Sequence, residues 1–294
     1  MELKEFFSKQ YNEWQGFRMR VDQLAQVETK VFDMGGYTVI AQYNPARAIS
    51  TGAKVDAQSI ANRKCFLCDE NRPSEQEKIA ITENFSLLVN PFPILKGHFT
   101  LPYNGHEPQE IDGHIDEFLQ ICEQMPDYTI FYNGPESGAS APDHLHFQAV
   151  ERGQLPLENE LNKIHTREIS EWNGDTMEEL LNFGRKCIHM ESKKAEKVVS
   201  FFKQLYKQYQ MLSGSDKKEP RMNLFGYYEE ETYHLFLFPR KTHRPSQYFE
   251  EGDGNRLISP GAIDMAGVIV VPRKKDFDEM TAELIQDIYR QVGY

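Results

Sequence analysis

The sequence predicts an α+β fold of antiparallel sheets with flanking helices, and three observations carry that reading. Short β-prone runs recur without the regular βα alternation of a parallel sheet. Helical periodicity is confined to a few separated segments. Two strand ends share one text, Leu237-Phe238-Pro239-Arg240-Lys241 and Val270-Val271-Pro272-Arg273-Lys274, and Thr100-Leu101-Pro102 is a third strand ending in proline. Echoes this short arise easily by chance, so they fit a duplicated half-barrel without establishing one.

Along the chain, 2–26 reads as one amphipathic helix, with Leu3, Phe6, Phe7, Tyr11, Trp14 and Phe17 at helical spacing. Runs 31–33 and 37–43 read as strands around Gly35-Gly36, a hairpin signal. Residues 45–63 are polar and mixed, a loop with room for one helical turn. Strands are expected at 85–89, 98–101, 129–132 and 144–150, interrupted by a helix at about 114–125. Residues 152–174 read as a linker or crossover. Helices are expected at 175–189, capped by Asp175, and at 192–212, followed by a polar break over 213–219. Strands 222–228 and 233–238 meet at a tight acidic turn over 229–232. A loop rich in glycine and charge covers 246–262. Strand 267–271 and helix 276–291 complete the chain.

The totals narrow the function. A chain of 294 residues has the length for one large or two modest domains. Its formal net charge of -12 disfavours non-specific binding of nucleic acid, yet leaves room for a locally basic pocket. No apolar run approaches the roughly 18–20 residues of a membrane span, and the N-terminus is charged and amphipathic rather than a signal peptide, so the expectation is a cytoplasmic protein. The 4 cysteines are too few for a disulfide scaffold at this length, and Cys65-Phe66-Leu67-Cys68 suggests metal or redox chemistry.

The most informative stretch is Tyr132-Asn133-Gly134-Pro135-Glu136-Ser137-Gly138-Ala139-Ser140-Ala141-Pro142-Asp143-His144-Leu145-His146-Phe147-Gln148. A β-prone run leads into a loop of small residues, then into a strand expected to carry His144, His146 and Gln148 on one face by alternation. Two histidines and a glutamine in a row are costly to bury without purpose. A neutral imidazole is a good nucleophile at pH 7, and attack on an α-phosphate would give a phosphoramidate. Gln148 can donate to phosphoryl oxygens as charge builds. The loop can bring backbone N–H groups and the Ser137 and Ser140 hydroxyls to a phosphate. The competing reading is a pair of satisfied histidines in a half-buried strand.

This text resembles the active-site motif of the branch of the histidine-triad superfamily that contains galactose-1-phosphate uridylyltransferase, diadenosine tetraphosphate phosphorylases and plant GDP-L-galactose phosphorylase. The loop Asn133 to Ser140 is similar to the phosphorylase loop, and His144-Leu145-His146-Phe147-Gln148-Ala149 to the GDP-hexose phosphorylase motif. Asp143 lengthens the gap between Pro142 and His144 by one residue relative to the diadenosine tetraphosphate enzymes. Asn90-Pro91-Phe92-Pro93-Ile94 with Gly97-His98-Phe99 resembles the strand pair that shapes their nucleoside pocket. The C-terminal stretches 222–239 and 267–277 resemble the second half of the GDP-hexose enzymes. The resemblance implies two histidine-triad-like (HIT-like) halves, 1–155 with the chemistry and 156–294 degenerate, and makes His146 the catalytic nucleophile with Gln148 beside it.

The resemblance to bacterial uridylyltransferases also implies a structural zinc held by Cys65, Cys68, His106 and His144, with His98 as the rival to His106. A redox Cys-x-x-Cys and two inert thiols remain the alternatives. For the substrate, the resemblance points to Arg47 in Asn44-Pro45-Ala46-Arg47, to Asn90, and to Asn133, Ser137, Gly138 and Ser140 of the loop. A solvated loop arginine and a strand-end asparagine are the plain readings of Arg47 and Asn90. Arg240, Lys241, His243, Arg244, Arg273, Lys274 and Lys275 form two basic clusters, readable as solvated strand ends or as an acceptor site.

The expected activity is transfer of a nucleoside monophosphate from an NDP-sugar or dinucleoside polyphosphate, through His146, to phosphate or a sugar phosphate. The rivals are a hydrolase of the same superfamily, in which water is the acceptor, and a non-catalytic nucleotide-binding module. Neither nucleic acid nor a membrane is an expected partner.

Overall fold

The computed structural model describes residues 2–48, 52, 56–213 and 219–294. In chain order it contains helices α1 (Leu3–Glu13) and α2 (Gln15–Leu24), strands β1 (Glu28–Asp33) and β2 (Thr38–Tyr43), helix α3 (Ala57–Ala61), strands β3 (Ile79–Ala80), β4 (Ser86–Val89) and β5 (Phe99–Pro102), helix α4 (Ile115–Gln124), strands β6 (Tyr128–Asn133) and β7 (His146–Glu151) and helix α5 (Pro156–Glu160). There follow strands β8 (Thr166–Trp172), β9 (Asp175–Leu180) and β10 (Ile188–Ser192), helix α6 (Ala195–Ser213), strands β11 (Met222–Glu229) and β12 (Thr232–Pro239), helix α7 (Ala262–Met265), strand β13 (Val268–Val271) and helices α8 (Lys274–Asp278) and α9 (Ala282–Val292).

The expected α+β class is the observed one. A ten-stranded sheet runs β3-β4-β5-β7-β6-β11-β12-β10-β9-β8, and a three-stranded sheet runs β1-β2-β13. Apolar residues pack on both faces of the large sheet. One core joins Phe6 and Phe17 of the first helices, Phe118 of α4 and Phe202 of α6 to Phe99, Phe147, Leu224 and Leu235. The other joins Phe131, Phe225 and Phe236 to Val39 of β2, Val268 and Ile269 of β13 and Ile285 and Ile288 of α9.

The large sheet is built twice. Outward from the β6–β11 contact the order is β6, β7, β5, β4, β3 on one side and β11, β12, β10, β9, β8 on the other. One lateral row crosses it through Thr100, Gln148, Phe131, Phe225, Phe236 and His189. A half turn about the middle of this row carries 128–133 onto 222–227 and 146–151 onto 234–239, inside β11 and β12. His146 then falls on His234, and Gln148 on Phe236.

Several sequence expectations need correction. The expected helix at 2–26 is two helices, because Trp14 adopts extended angles (φ -106, ψ 96) between them. The expected helix at 175–189 is strand β9, a turn and the start of β10. Met177 and Leu180 have helical spacing, but pairing with β10 sends Met177 into one core and Leu180 into the other, as alternation requires. Asn182 (φ 55) and Gly184 (φ 71) turn the chain, and a Cβ on Gly184 would lie 2.0 Å from the Tyr37 hydroxyl. The supposed linker at 152–174 contains α5 and β8. The final helix is divided into α8 and α9, the latter capped by the Thr281 hydroxyl, which accepts from Leu284 N–H. His144 precedes β7 rather than lying in it. Parts of the expected loop at 45–63 (49–51 and 53–55) and of the polar break at 213–219 (214–218) lie outside the described residues.

Glu219 joins the two halves. It is buried, accepts from Ile111 N–H at 2.6 Å and lies 2.7 Å from the Tyr132 hydroxyl, which donates to the Gln109 carbonyl at 3.1 Å. Burial pushes its carboxyl up to about 8 from 4.5. The neutral carboxyl is therefore the folded form, and it can donate to Tyr132. A raised folded value gives a contribution that is full below about pH 4.5 and lost as pH rises through about 8. The thermal midpoint of the wild type is accordingly expected to fall from pH 6.5 to 8.5, and Glu219→Gln, which keeps the size without the proton, to flatten that slope. Equal slopes in the two proteins would contradict the assignment.

Candidate active site and metal centre

His146 opens β7, pairs with Pro102 of β5 and is 4% exposed. Its Nδ1 lies 2.8 Å from the carbonyl oxygen of His144. A carbonyl can only accept, so Nδ1 carries the proton and Nε2 keeps the lone pair. Burial lowers the imidazole to about 4, which keeps the ring neutral and nucleophilic at physiological pH.

The same reasoning orients Gln148. Ile94 N–H donates to His98 Nδ1 at 3.1 Å, so the His98 proton sits on Nε2 and is donated to Gln148 Oε1 at 2.9 Å. With its oxygen so occupied, Gln148 has its NH2 group left for a ligand. Asn90 supports the arrangement by donating to Thr100 Oγ1 at 3.0 Å, while its own oxygen accepts from Phe92 N–H. His98 is fully buried and bonded here, away from the thiols. Burial, then the nearby Arg47 charge, holds it down at about 3.

His146 and Gln148 line a cavity of about 610 Å³. Trp14, between α1 and α2, and Arg20 of α2 form one wall, with the Arg20 guanidinium 4.5 Å above the Phe92 ring. Ser259, Gly261, Ala262, Ile263 and Asp264 of the second half form another. Gly138 and Gly261 permit this closure. Gly138 has φ +104, and a Cβ on it would lie 2.9 Å from Gly261 Cα. Asn133 ties the two segments together, since its side-chain oxygen accepts from Ala262 N–H at 2.7 Å and Asn223 Nδ2 at 2.9 Å.

Of the expected substrate residues, Arg47, Asn90, Asn133, Gly138 and Ser140 line the cavity. Ser137 does not: it is fully buried behind the loop, and its backbone carbonyl accepts from Asn223. Arg47 is half-buried; loss of solvent around its guanidinium lowers it to about 10, with Asp264 opposing. Burial raises Asp264 to about 6, against the N–H bonds it accepts from Gly261 and Val270. Asp143, the extra residue of the loop, forms an ion pair with Arg63 at the cavity wall. The two basic clusters do not line the cavity. Arg240 donates to Asn223 and to the Pro260 carbonyl, and Arg273 to Asp276.

Beside the start of β7, Cys65, Cys68, His106 and His144 each bring one ligand atom into a group whose members all lie within 4.8 Å of one another. Cys65 Sγ is 3.3 Å and Cys68 Sγ 3.6 Å from His144 Nδ1, and Cys68 Sγ is 3.2 Å from His106 Nδ1. Tetrahedral ligands about 2.0–2.3 Å from one ion sit at roughly such separations. His144 Nε2–H donates to the Tyr103 carbonyl at 2.9 Å, which turns the Nδ1 lone pair toward the thiols. Burial opposes ionisation of Cys65, but the His144 bond and the Leu67 and Cys68 N–H groups outweigh it and lower the thiol. Burial and the neighbouring Cys65 raise Cys68.

His189, Glu191 and His234 form a second such group in the second half. There the two rings are nearly coplanar (2°), with His189 Nε2 3.1 Å from His234 Nδ1. One N–H therefore satisfies both nitrogens, and the pair is closed by its own hydrogen bond. Sequence reasoning missed several residues around His146. Trp14, Arg20 and the 259–264 segment have no motif text and reach the cavity only through the fold, and Gln109 reaches the His146 backbone in the same way.

Fold and site together define an α+β protein of antiparallel sheets with a buried histidine and a Cys/His group beside one cavity. The profile of a family described as "Domain of unknown function (DUF4922)" matches residues 6–151, which include His146 and the Cys/His group. Among solved structures, yeast Ap4A phosphorylase Apa2 is similar with a TM-score of 0.63 at 15% identity, over 96% of this chain and 97% of that one. Its complex with Ap4A gives 0.59 at 14% identity, over 96% and 97%. Its complex with AMP gives 0.58 at 15%, over 96% of each chain. At such identity the likeness is one of fold. No curated protein sequence matches the chain.

The depressed His146 value sets a test. Burial disfavours the charged ring, so a titration of its ring protons by NMR is expected to show no protonation step above about pH 5. A midpoint near the ordinary 6.5 would contradict the burial argument.

Proposed function

We propose that the chain is a nucleotidyltransferase that carries a nucleoside monophosphate on His146. The donor is an NDP-sugar or a dinucleoside polyphosphate, and the acceptor is orthophosphate or a sugar phosphate. The observation that carries this reading is the buried His146 ring, its Nδ1 proton committed to the His144 carbonyl and its Nε2 left for the cavity. The fold shared with a phosphorylase solved in complexes with Ap4A and AMP supports it.

In the first step, the Nε2 lone pair attacks the α-phosphorus. A P–N bond forms as the bridging P–O bond breaks, and its electron pair leaves with a sugar phosphate or a nucleotide. In the second, an acceptor oxygen attacks phosphorus and the P–N electron pair returns to Nε2. The Nδ1–H bond to His144 steadies the positive charge on the ring in both steps. Gln148 NH2 and the N–H groups around Gly138 and Ser140 donate to the phosphoryl oxygens. Arg47 supplies positive charge to the polyphosphate, and Asn90 and Asn133 contact the nucleoside side. Ser140 meets phosphate in place of the buried Ser137.

Cys65, Cys68, His106 and His144 would hold a zinc ion, whose contribution is structural. It offsets the thiolate charge and fixes the residue two before the nucleophile. Such thiols require a reducing compartment, which favours the cytoplasm. No described helix is long and apolar enough to cross a membrane.

Intact-protein mass spectrometry at neutral pH, after mixing with a panel of NDP-sugars and dinucleoside polyphosphates, is expected to show one nucleoside monophosphate on the wild type and none on His146→Ala. Measurable nucleotide binding with no adduct from any donor would favour the binding module. An adduct that is discharged equally fast without phosphate or a sugar phosphate would favour the hydrolase. Separately, cobalt(II) added to apoprotein is expected to give thiolate charge-transfer absorption that Cys65→Ser abolishes. Absorption unchanged in that variant would remove the four-residue site.

A further inference from the structure

Gln109 lies outside every motif in the sequence, and it is fully buried with all of its polar groups engaged. Its backbone N–H donates to the Pro142 carbonyl at 3.1 Å, and its carbonyl accepts from the Tyr132 hydroxyl at 3.1 Å. The side-chain oxygen accepts from His146 N–H at 2.8 Å. The side-chain nitrogen donates to the carbonyls of Asn133, at 2.9 Å, and His146, at 3.0 Å. Because carbonyls only accept and the His146 N–H only donates, these partners also fix which end of the amide is which.

Its location is what distinguishes it from a buried glutamine that merely fills space. The β6–β7 ladder pairs Tyr128 with Glu151 and continues to Phe131 with Gln148, where it stops. In that register Asn133 would next oppose His146 across the sheet. Instead the strands diverge to make room for the 134–145 loop, and the Gln109 carboxamide stands between those two residues. It makes the bonds that the strands no longer make to each other. One amide thereby sets the separation between the start of the phosphate loop and the backbone of the nucleophile. The His146 ring hangs from that backbone by its bond to the His144 carbonyl, so a shift of the His146 peptide moves Nε2.

We infer that Gln109 is a positioning residue for nucleotidyl transfer: it replaces the missing rung of the β6–β7 ladder and so holds His146 Nε2 at a fixed distance from the phosphate-binding loop. The inference rests on the nucleotidyl-transfer reading above for its chemical consequence, though not for its geometry. Neither methionine nor asparagine can substitute. Methionine has the length without donors or an acceptor, and asparagine has the amide but is one methylene short of spanning the gap.

Two measurements on the full chain test this. In single-turnover nucleotidylation, Gln109→Met and Gln109→Asn are expected to slow adduct formation by about 100-fold, the order expected for a displacement near 1 Å. The Kd for AMP, measured by calorimetry on the same samples, is expected to stay within about threefold, a split that general destabilisation would not give. The second measurement needs no turnover. In protein labelled with 15N-histidine, the His146 ring signals are expected to broaden or split in both variants while those of His98 stay in place. Unchanged His146 signals in both variants would overturn the positioning role, as would unchanged adduct rates. Loss of the His98 signals as well, in both variants, would also overturn it, because the residue would then be holding the whole fold. If the wild type forms no adduct with any donor, the functional reading fails, and the ring signals still decide the role of Gln109.

Discussion

One hydrogen bond sets the state of the His146 ring: Nδ1–H to the carbonyl of His144. It leaves a single ring nitrogen with a lone pair and places that nitrogen at the cavity. It also ties the ring to the backbone just before β7, so everything that fixes that backbone fixes the ring. Three groups do so from different directions. Gln109 clamps the peptide of His146, the Tyr103 N–H takes the Leu145 carbonyl, and the Cys65–Cys68–His106 group surrounds the His144 ring. The zinc proposed for that group would hold the residue two before His146 and so orient its ring.

The doubled sheet does not repeat the His146 arrangement among the described residues. The half turn that relates the halves brings His234 onto His146, yet Phe236 replaces Gln148, and β11 and β12 are joined by a tight turn at Glu230 and Glu231 in place of a phosphate loop. His234 is bonded to His189 and stacked on Tyr227. The second half instead closes the first half's cavity. Its 259–264 segment lies against the 134–140 loop, an approach that Gly138 and Gly261 make possible and Asn133 secures. Arg240, which looks like a solvated strand end in the sequence, is buried and holds the Pro260 carbonyl beside that contact.

The sequence made local chemistry legible and left long-range placement obscure. His146, Gln148, the small-residue loop and the thiol pair are written in consecutive text, and the group gathered from Cys65 to His144 is the set that the resemblance to uridylyltransferases implied. Strand spacing was misleading where pairing overrides it. His144 alternates with His146 on paper, but the loop ends only after it, so its ring turns toward the thiols instead of sharing the cavity. The 175–189 segment has helical spacing, yet Met177 and Leu180 serve opposite cores once β10 is beside them. Gln109 and Asp264 could not be found by spacing at all, because their partners lie in distant parts of the chain. A buried, fully bonded glutamine has no signature in one sequence.

The central claim is that Nε2 of His146 is the nucleophile because Nδ1 is held by the His144 carbonyl. A crystal structure of the protein soaked with a donor, in the absence of any acceptor, tests it most directly. The account predicts phosphorus bonded to Nε2, with Nδ1 still within hydrogen-bond distance of that carbonyl and the phosphoryl oxygens between Gln148 and the Gly138 loop. Phosphorus on Nδ1, on another side chain, or on a ring turned away from the His144 carbonyl would contradict it.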